Sequence, residues 1–200
     1  MSKIGLFGGT FDPIHNAHIA VAHEAMEEFS LDRIILIPAG EPPHKLKKDK
    51  SGKSLRLAMT ELAVENIENF SVSDYEINLD MPCYSVNTVK HFRKLYPGDE
   101  LYFIIGADSF RDMPTWWRYR ELTELCAFIV ISRPGIPEGT LLGEFDGDER
   151  PPRVFYSRDI KMDISSTAIR RRCARGEAVD GLVPPVIAEF IKNEGLYRKS

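Results

Sequence analysis

The order of apolar and polar positions divides this chain into short buried strands and amphipathic helices. Lys3-Ile4-Gly5-Leu6-Phe7, Arg33-Ile34-Ile35-Leu36-Ile37-Pro38, Leu101-Tyr102-Phe103-Ile104-Ile105 and Ala127-Phe128-Ile129-Val130-Ile131 are short, nearly continuous apolar runs. Such runs suit strands buried on both faces of a parallel sheet. Between them, apolar residues recur at helical spacing over 19–29 (Ile19, Ala22, Ala25, Met26, Phe29) and over 54–67 (Leu55, Ala58, Met59, Leu62, Ala63), where Ser54 is placed to cap. Further helices are predicted over 85–95, 116–125, 165–175 (capped by Ser165 or Ser166) and 185–193, the last stopped by Gly195. Shorter strands are predicted over 70–77 and at Val154-Phe155-Tyr156. Strand, helix and strand within the first 38 residues make a right-handed βαβ unit. The alternation predicts an α/β fold: a doubly wound, mostly parallel sheet with a C-terminal helical adjunct, in one domain over 1–200. The segment 134–152, rich in Gly, Pro and acids, is a long connection, either a mobile flap or cover for further elements.

Composition narrows the setting. No apolar run approaches the ~20 residues of a membrane span, and the chain enters its first strand at Lys3 with no room for a signal peptide. Cys83, Cys126 and Cys173 are scattered and odd in number, which suits reduced thiols in the cytoplasm and not structural zinc. A net charge of −4 argues against nucleic acid as a partner. An anionic ligand would therefore need local positive charge. That is found at Lys45, Lys47, Lys48, Lys50 and Lys53, and at Arg170, Arg171, Arg172 and Arg175. A homo-oligomer is compatible with the sequence.

The chemistry-bearing stretch is Gly8-Gly9-Thr10-Phe11-Asp12-Pro13-Ile14-His15-Asn16-Ala17-His18, where the first strand hands the chain to a helix. Glycine lets a ligand approach the main chain closely, and a helix start offers N–H groups and a positive dipole end to an anion. His15 and His18, three residues apart, share a helical face. Incidental histidines beside a tight turn, or a metal pair, are the alternatives. Gly106-Ala107-Asp108 ends a core strand, at the sheet edge where open parallel sheets bind ligands. Asp108 there is either a helix cap or a ligand contact. Successive helical residues point about 100° apart, so Arg171 and Arg172 face solvent if Arg170 faces a ligand.

This stretch resembles the G-G-T-F-D-P-x-H-x-G-H signature of the nucleotidyltransferase superfamily, with Ala17 in place of its glycine. Ile164-Ser165-Ser166-Thr167-Ala168-Ile169-Arg170 resembles the second signature, I-S-S-T-x-I-R. Pro42-Pro43-His44-Lys45, Tyr84-Ser85-x-x-Thr88, Phe103 to Asp108, Pro114-x-Trp116, Arg133-Pro134-Gly135 and Asn193-x-Gly195-Leu196-Tyr197 extend the resemblance to the bacterial nicotinate-nucleotide adenylyltransferases. The resemblance implies a Rossmann-like fold and a reaction in which ATP and nicotinate mononucleotide give deamido-NAD and pyrophosphate, with Mg²⁺. It implies catalytic roles for His15, His18 and Arg170. It implies ATP contacts from Gly8, Gly9, Thr10, Phe11, Gly106, Asp108, Ile164, Ser165, Ser166 and Thr167. For the pyridine nucleotide it implies His44, Lys45, Ser85, Trp116 and Arg133, and no protein-held metal. Transfer of AMP to nicotinamide mononucleotide or phosphopantetheine, and a non-catalytic nucleotide-binding module, are the rival readings.

Overall fold

The computed structural model describes residues 1–40, 51–131, 151–157 and 162–198. Its strands are β1 (Lys3–Gly9), β2 (Arg33–Pro38), β3 (Phe70–Val72), β4 (Glu100–Gly106), β5 (Ala127–Ile131) and β6 (Val154–Ser157). They form one six-stranded sheet in the order β3-β2-β1-β4-β5-β6, every pairing parallel. β1 is the pivot, with Phe7 aligned with Leu36 on one side and Ile104 on the other. Strand order reverses between β1 and β4, so their carboxyl ends border a crevice. In sheets of this topology that is where ligands sit.

Both faces are covered because successive strand residues point oppositely. Phe7, Leu36, Ile104 and Ile129 pack with Ala22 and Ala25 of α1 (Asn16–Glu28), Met59 and Ala63 of α2 (Lys53–Val64), Ile169 of α6 (Ser166–Ala174) and Ile187 of α7 (Pro185–Asn193). Leu6, Ile37, Phe103 and Phe128 pack with Val89 of α3 (Ser85–Leu95), Phe110 of α4 (Ala107–Arg111) and Leu122 of α5 (Tyr119–Leu125). The predicted doubly wound sheet is therefore present. No described helix is long and apolar enough to cross a membrane.

Several boundaries differ from the sequence expectation, each for a local reason. The strand expected over 70–77 stops at Val72. Ser73 still donates its N–H to Leu36, and the chain then turns at Asp74, whose carboxylate accepts from the Asn78 side chain at 2.7 Å. α2 is capped by Gly52 and not by Ser54, and ends three residues before Ile67. The helix expected from Trp116 begins only at Tyr119. A 3-10 turn occupies Met113–Thr115, and Arg118 at φ 56° breaks the helical path between them. The short α4 was not expected. α1 starts at Asn16 with His15 as its N-cap, earlier than the apolar periodicity indicates. The 134–152 connection lies outside the described residues except for Pro151 and Pro152.

Gly40, just beyond β2, has space for no side chain: a Cβ there would lie 2.2 Å from the Glu76 carbonyl oxygen and 2.7 Å from Cys83 Sγ. The closest obstacle is backbone and cannot swing away. Gly40→Ala is expected to cost about 2–3 kcal/mol, read as a thermal unfolding midpoint lower by roughly 5–10 °C in a chain of this length. A midpoint within a degree of wild type in calorimetry would show that the chain relaxes there at no cost.

Candidate active site

The site is built on the turn that leaves β1. Phe11 sits at φ 48°, in the left-handed region that a bulky residue rarely adopts. A Cβ on Gly9 would come within 2.6 Å of the Phe11 ring, so glycine at position 9 is what admits the ring. That ring is fully buried and meets Phe7 edge-on at 5.6 Å and His18 edge-on at 5.0 Å. Asp12 follows, 1% exposed and joined to Pro13 by a cis peptide. Its carboxylate accepts from the Tyr197 hydroxyl at 2.7 Å and from the Ser51 N–H at 3.4 Å. Asp12 is thus an internal anchor of the turn.

His15 and His18 stack at 3.6 Å with planes 18° apart. The His15 main-chain N–H donates to His18 Nδ1 at 3.2 Å. An amide only donates, so Nδ1 must accept, and the neutral His18 ring carries its proton on Nε2. His15 Nδ1 is buried without a hydrogen-bond partner among the described residues. Burial lowers the His15 imidazole to about 4. Burial, then the neighbouring His15, lowers His18 to about 3. At neutral pH the pair therefore offers uncharged N–H donors. Ala17, where the signature has glycine, lies half-exposed in the first turn of α1.

The second signature closes on the first across the fold. Ser165 caps α6 by accepting from the Ala168 N–H at 3.2 Å. The Ser166 hydroxyl donates to the Pro13 carbonyl at 3.0 Å. Arg170 donates from Nη1 to the Asp12 carbonyl at 2.7 Å and from Nη2 to the Thr167 hydroxyl at 3.2 Å. The amino end of α6, its dipole positive, is thereby held against the glycine turn. Ile164, two residues before α6, is partly buried against the core. Arg171 and Arg172 are exposed, as helical geometry requires.

Beside the turn lies a cavity of about 230 Å³, bordered by Gly8, Gly9, Ser85, Phe103, Gly106 and Trp116. It is smaller than the ~300–1,000 Å³ of pockets for drug-sized ligands and suits one substituted ring. Trp116 is half-buried against the core, whereas Trp117 is exposed and meets Tyr84 at 4.8 Å with the rings tilted by 46°. Ser85 opens α3, where helix N–H groups lack intrahelical partners. Asp108 lies in the first turn of α4 without capping it and pairs with Arg111 at 3.2 Å. His44, Lys45 and Arg133 lie outside the described residues.

Three polar residues here escaped the sequence expectation. Arg56 is 3% exposed and donates to the Thr10 carbonyl at 2.9 Å. Glu76 borders the cavity, where it accepts from the Thr88 hydroxyl at 2.6 Å and burial pushes its carboxyl upward. Tyr197 is the hydroxyl on Asp12. A signal existed for Arg56: it shares the helical phase of the buried Met59 and Ala63, a core position filled by a charge. Among the described residues, no group of three or more His, Cys, Asp or Glu is arranged to hold a metal ion.

Residues 6–172 match the family model described as cytidylyltransferase-like. A Clostridium tetani protein named "probable nicotinate-nucleotide adenylyltransferase" is 40% identical over 200 residues, covering 99% of this chain and 100% of its own. A Clostridium kluyveri protein of the same name is 39% identical over 203 residues, with the same coverage. Among solved structures, Plasmodium falciparum nicotinic acid mononucleotide adenylyltransferase complexed with NaAD superposes with a TM-score of 0.81 at 21% identity. The same enzyme complexed with APC superposes at 0.79 and 20% identity. Both superpositions cover 98% of each chain and support the fold.

The depressed histidines make a pH prediction. Free imidazole titrates near 6.5, so below that pH the unfolded chain takes up protons that the folded pair refuses. The pair's contribution to stability is complete above about 6.5 and is lost as pH falls toward the folded values of about 4 and 3. The ring C–H resonances of His15 and His18 should stay at their neutral positions from about pH 7.5 to 5, and a His15→Gln/His18→Gln chain should lose less stability over that interval. A resonance of either ring titrating near 6.5 would refute the neutral pair.

Proposed function

Because the chain belongs to the cytidylyltransferase-like family and, within it, to the nicotinate-nucleotide adenylyltransferases, we propose that its active site moves AMP from ATP onto nicotinate mononucleotide. The products are pyrophosphate and deamido-NAD, a precursor in NAD biosynthesis. One observation carries the reading. Two neutral histidines, one carrying its N–H on Nε2, follow the turn whose Asp12 carbonyl Arg170 of the capped α6 holds, and a ring-sized cavity bordered by Trp116 lies beside Gly8 and Gly9 of the same stretch.

The chemistry demands little else. The attacking group is a phosphate oxygen with a second pKa near 6, so it is largely dianionic at neutral pH and needs no general base. It forms a bond to the α-phosphorus of ATP while the bond to the bridging oxygen breaks and pyrophosphate leaves with the electron pair. The barrier lies in aligning two polyanions and absorbing charge on the α-phosphoryl and the leaving group, which fixed donors accomplish. In this reading His18 donates to the reacting phosphoryl and His15 to a neighbouring phosphate. Ser165, Ser166, Thr167 and Arg170 hold the triphosphate at the start of α6. Gly8, Gly9, Thr10 and Phe11 let it lie against the main chain. Ser85 and Trp116 take the pyridine carboxylate and ring, assisted by His44, Lys45 and Arg133.

Mg²⁺ fits as a hydrated ion carried by ATP, because such ions keep several waters and need only one or two carboxylates besides phosphate oxygens. In this reading Asp108, half-exposed in the first turn of α4 just past β4, would be the carboxylate that meets it or the ribose hydroxyls. The ion supplies charge neutralisation on the phosphates. A cytoplasmic setting belongs to the same reading and is supported by cysteines that are odd in number and scattered along the chain.

Incubation with ATP and Mg²⁺ plus, separately, nicotinate mononucleotide, nicotinamide mononucleotide and phosphopantetheine tests the assignment. Pyrophosphate release is expected to be fastest with nicotinate mononucleotide, and release only with another acceptor would overturn it. His18→Ala should remain folded and lose about 10²–10³ in turnover, the scale of losing one preorganised donor. Turnover near wild type in that variant would remove His18 from the mechanism.

A further inference from the structure

Arg56 lies outside both signatures, and we propose that it is a positioning residue of the transfer reaction, setting the place of the His18 imidazole through the Thr10 carbonyl and the Phe11 ring. Among the described residues, its hydrogen bonds go to main-chain carbonyls: Nη1 to Thr10 at 2.9 Å, Nε to Ser51 at 3.3 Å and Nη2 to Gly40 at 3.5 Å. These acceptors belong to the turn after β1, the approach to α2 and the stretch beyond β2. One rigid fork therefore fixes three segments relative to one another.

Packing alone does not explain an arginine here. Met59, Thr60 and Ala63 on the same face of α2 are buried, and an apolar side chain would fill that volume at lower cost than a charge. Burial disfavours the guanidinium charge, and Asp12, Tyr197 and Glu76 oppose that penalty from around it. What arginine supplies and an apolar residue does not is a planar set of donors at fixed angles.

The consequence reaches the histidines through Phe11. The carbonyl on its N-terminal side, Thr10, is held by Arg56, and its own neighbour, the Asp12 carbonyl, is held by Arg170 at 2.7 Å. Two guanidinium groups thus grip carbonyls on either side of a residue at φ 48°, a conformation that persists only where its surroundings over-determine it. The ring so placed meets His18 edge-on at 5.0 Å. Release of the Thr10 carbonyl lets Phe11 relax toward ordinary backbone angles, and the wall that orients His18 moves with it. A displacement of about 1 Å at a reacting group costs on the order of 10²-fold in rate.

The inference rests on the adenylyl-transfer reading, but its first readout does not. Long-range ¹H–¹⁵N correlation of the histidine rings in the substrate-free protein should show His18 as the Nε2-protonated tautomer in wild type. In folded Arg56→Lys it should show a mixture of tautomers or a broadened signal. In the second readout, Arg56→Lys should lose about 30- to 100-fold in kcat while the KM for nicotinate mononucleotide moves less than about threefold. A merely structural role would lower the unfolding midpoint and leave both the His18 tautomer and the kcat of the folded fraction intact. That outcome overturns the proposal. If His18 is displaced in the variant while wild type transfers nothing to nicotinate mononucleotide, the substrate reading fails and the positioning role stands. If Arg56 variants do not fold, Phe11→Leu, which keeps Arg56 and removes the ring edge, must show the same His18 change and loss of turnover. A Phe11→Leu protein with a wild-type His18 signal and turnover overturns the proposal equally.

Discussion

The structure depends on one unfavourable backbone conformation being held in place. Phe11 occupies a left-handed position that costs free energy on its own, and a set of polar contacts from distant parts of the chain holds the residues around it. Arg170 and Ser166 of α6 hold the carbonyls of Asp12 and Pro13. Tyr197 and Ser51 hold the Asp12 carboxylate. The bare Gly9 gives the ring its space. Three stretches far apart in sequence converge on a turn of a few residues, so the site and the closure of the fold are the same event.

That arrangement explains how positive character is presented without much charge. Two stacked imidazoles kept neutral by burial offer donors whose orientation does not depend on protonation. The formal charge comes from Arg170, and the dipole of α6 adds partial positive charge at its amino end, both fixed before any ligand arrives. Donors that need no reorganisation are the ones that stabilise developing charge most effectively. The chain is acidic overall, which matters little when the cationic groups are few and aimed.

The sheet was legible in the sequence because its strands are buried on both faces and read as unbroken apolar runs such as Phe128-Ile129-Val130. Both edge strands were legible too, though β3 pairs through three residues only and stops short of its expected end, whereas α4, at five residues, is little more than one helical turn and too short for its repeat to show. The histidines, glycines and the α6 cap were visible because their spacing is local. Arg56, Glu76 and Tyr197 act through contacts that span up to 185 residues, as for Tyr197 on Asp12, and no local periodicity encodes such a pairing. Trp116 and Trp117 could not be told apart by sequence. The left-handed Arg118 beside them interrupts the expected helix, and one ring is turned toward the cavity and the other toward solvent.

The Tyr197–Asp12 contact has a consequence for the birth of the molecule. Asp12 leaves the ribosome early and then waits while 185 further positions are translated before its hydroxyl partner exists. At ~5–20 residues per second that interval is on the order of ten seconds or more, during which the β1–α1 unit stands without its last fastening. A nascent chain therefore carries both histidines long before it carries a finished phosphate cradle, and competence arrives late, with the emergence of the segment after α7.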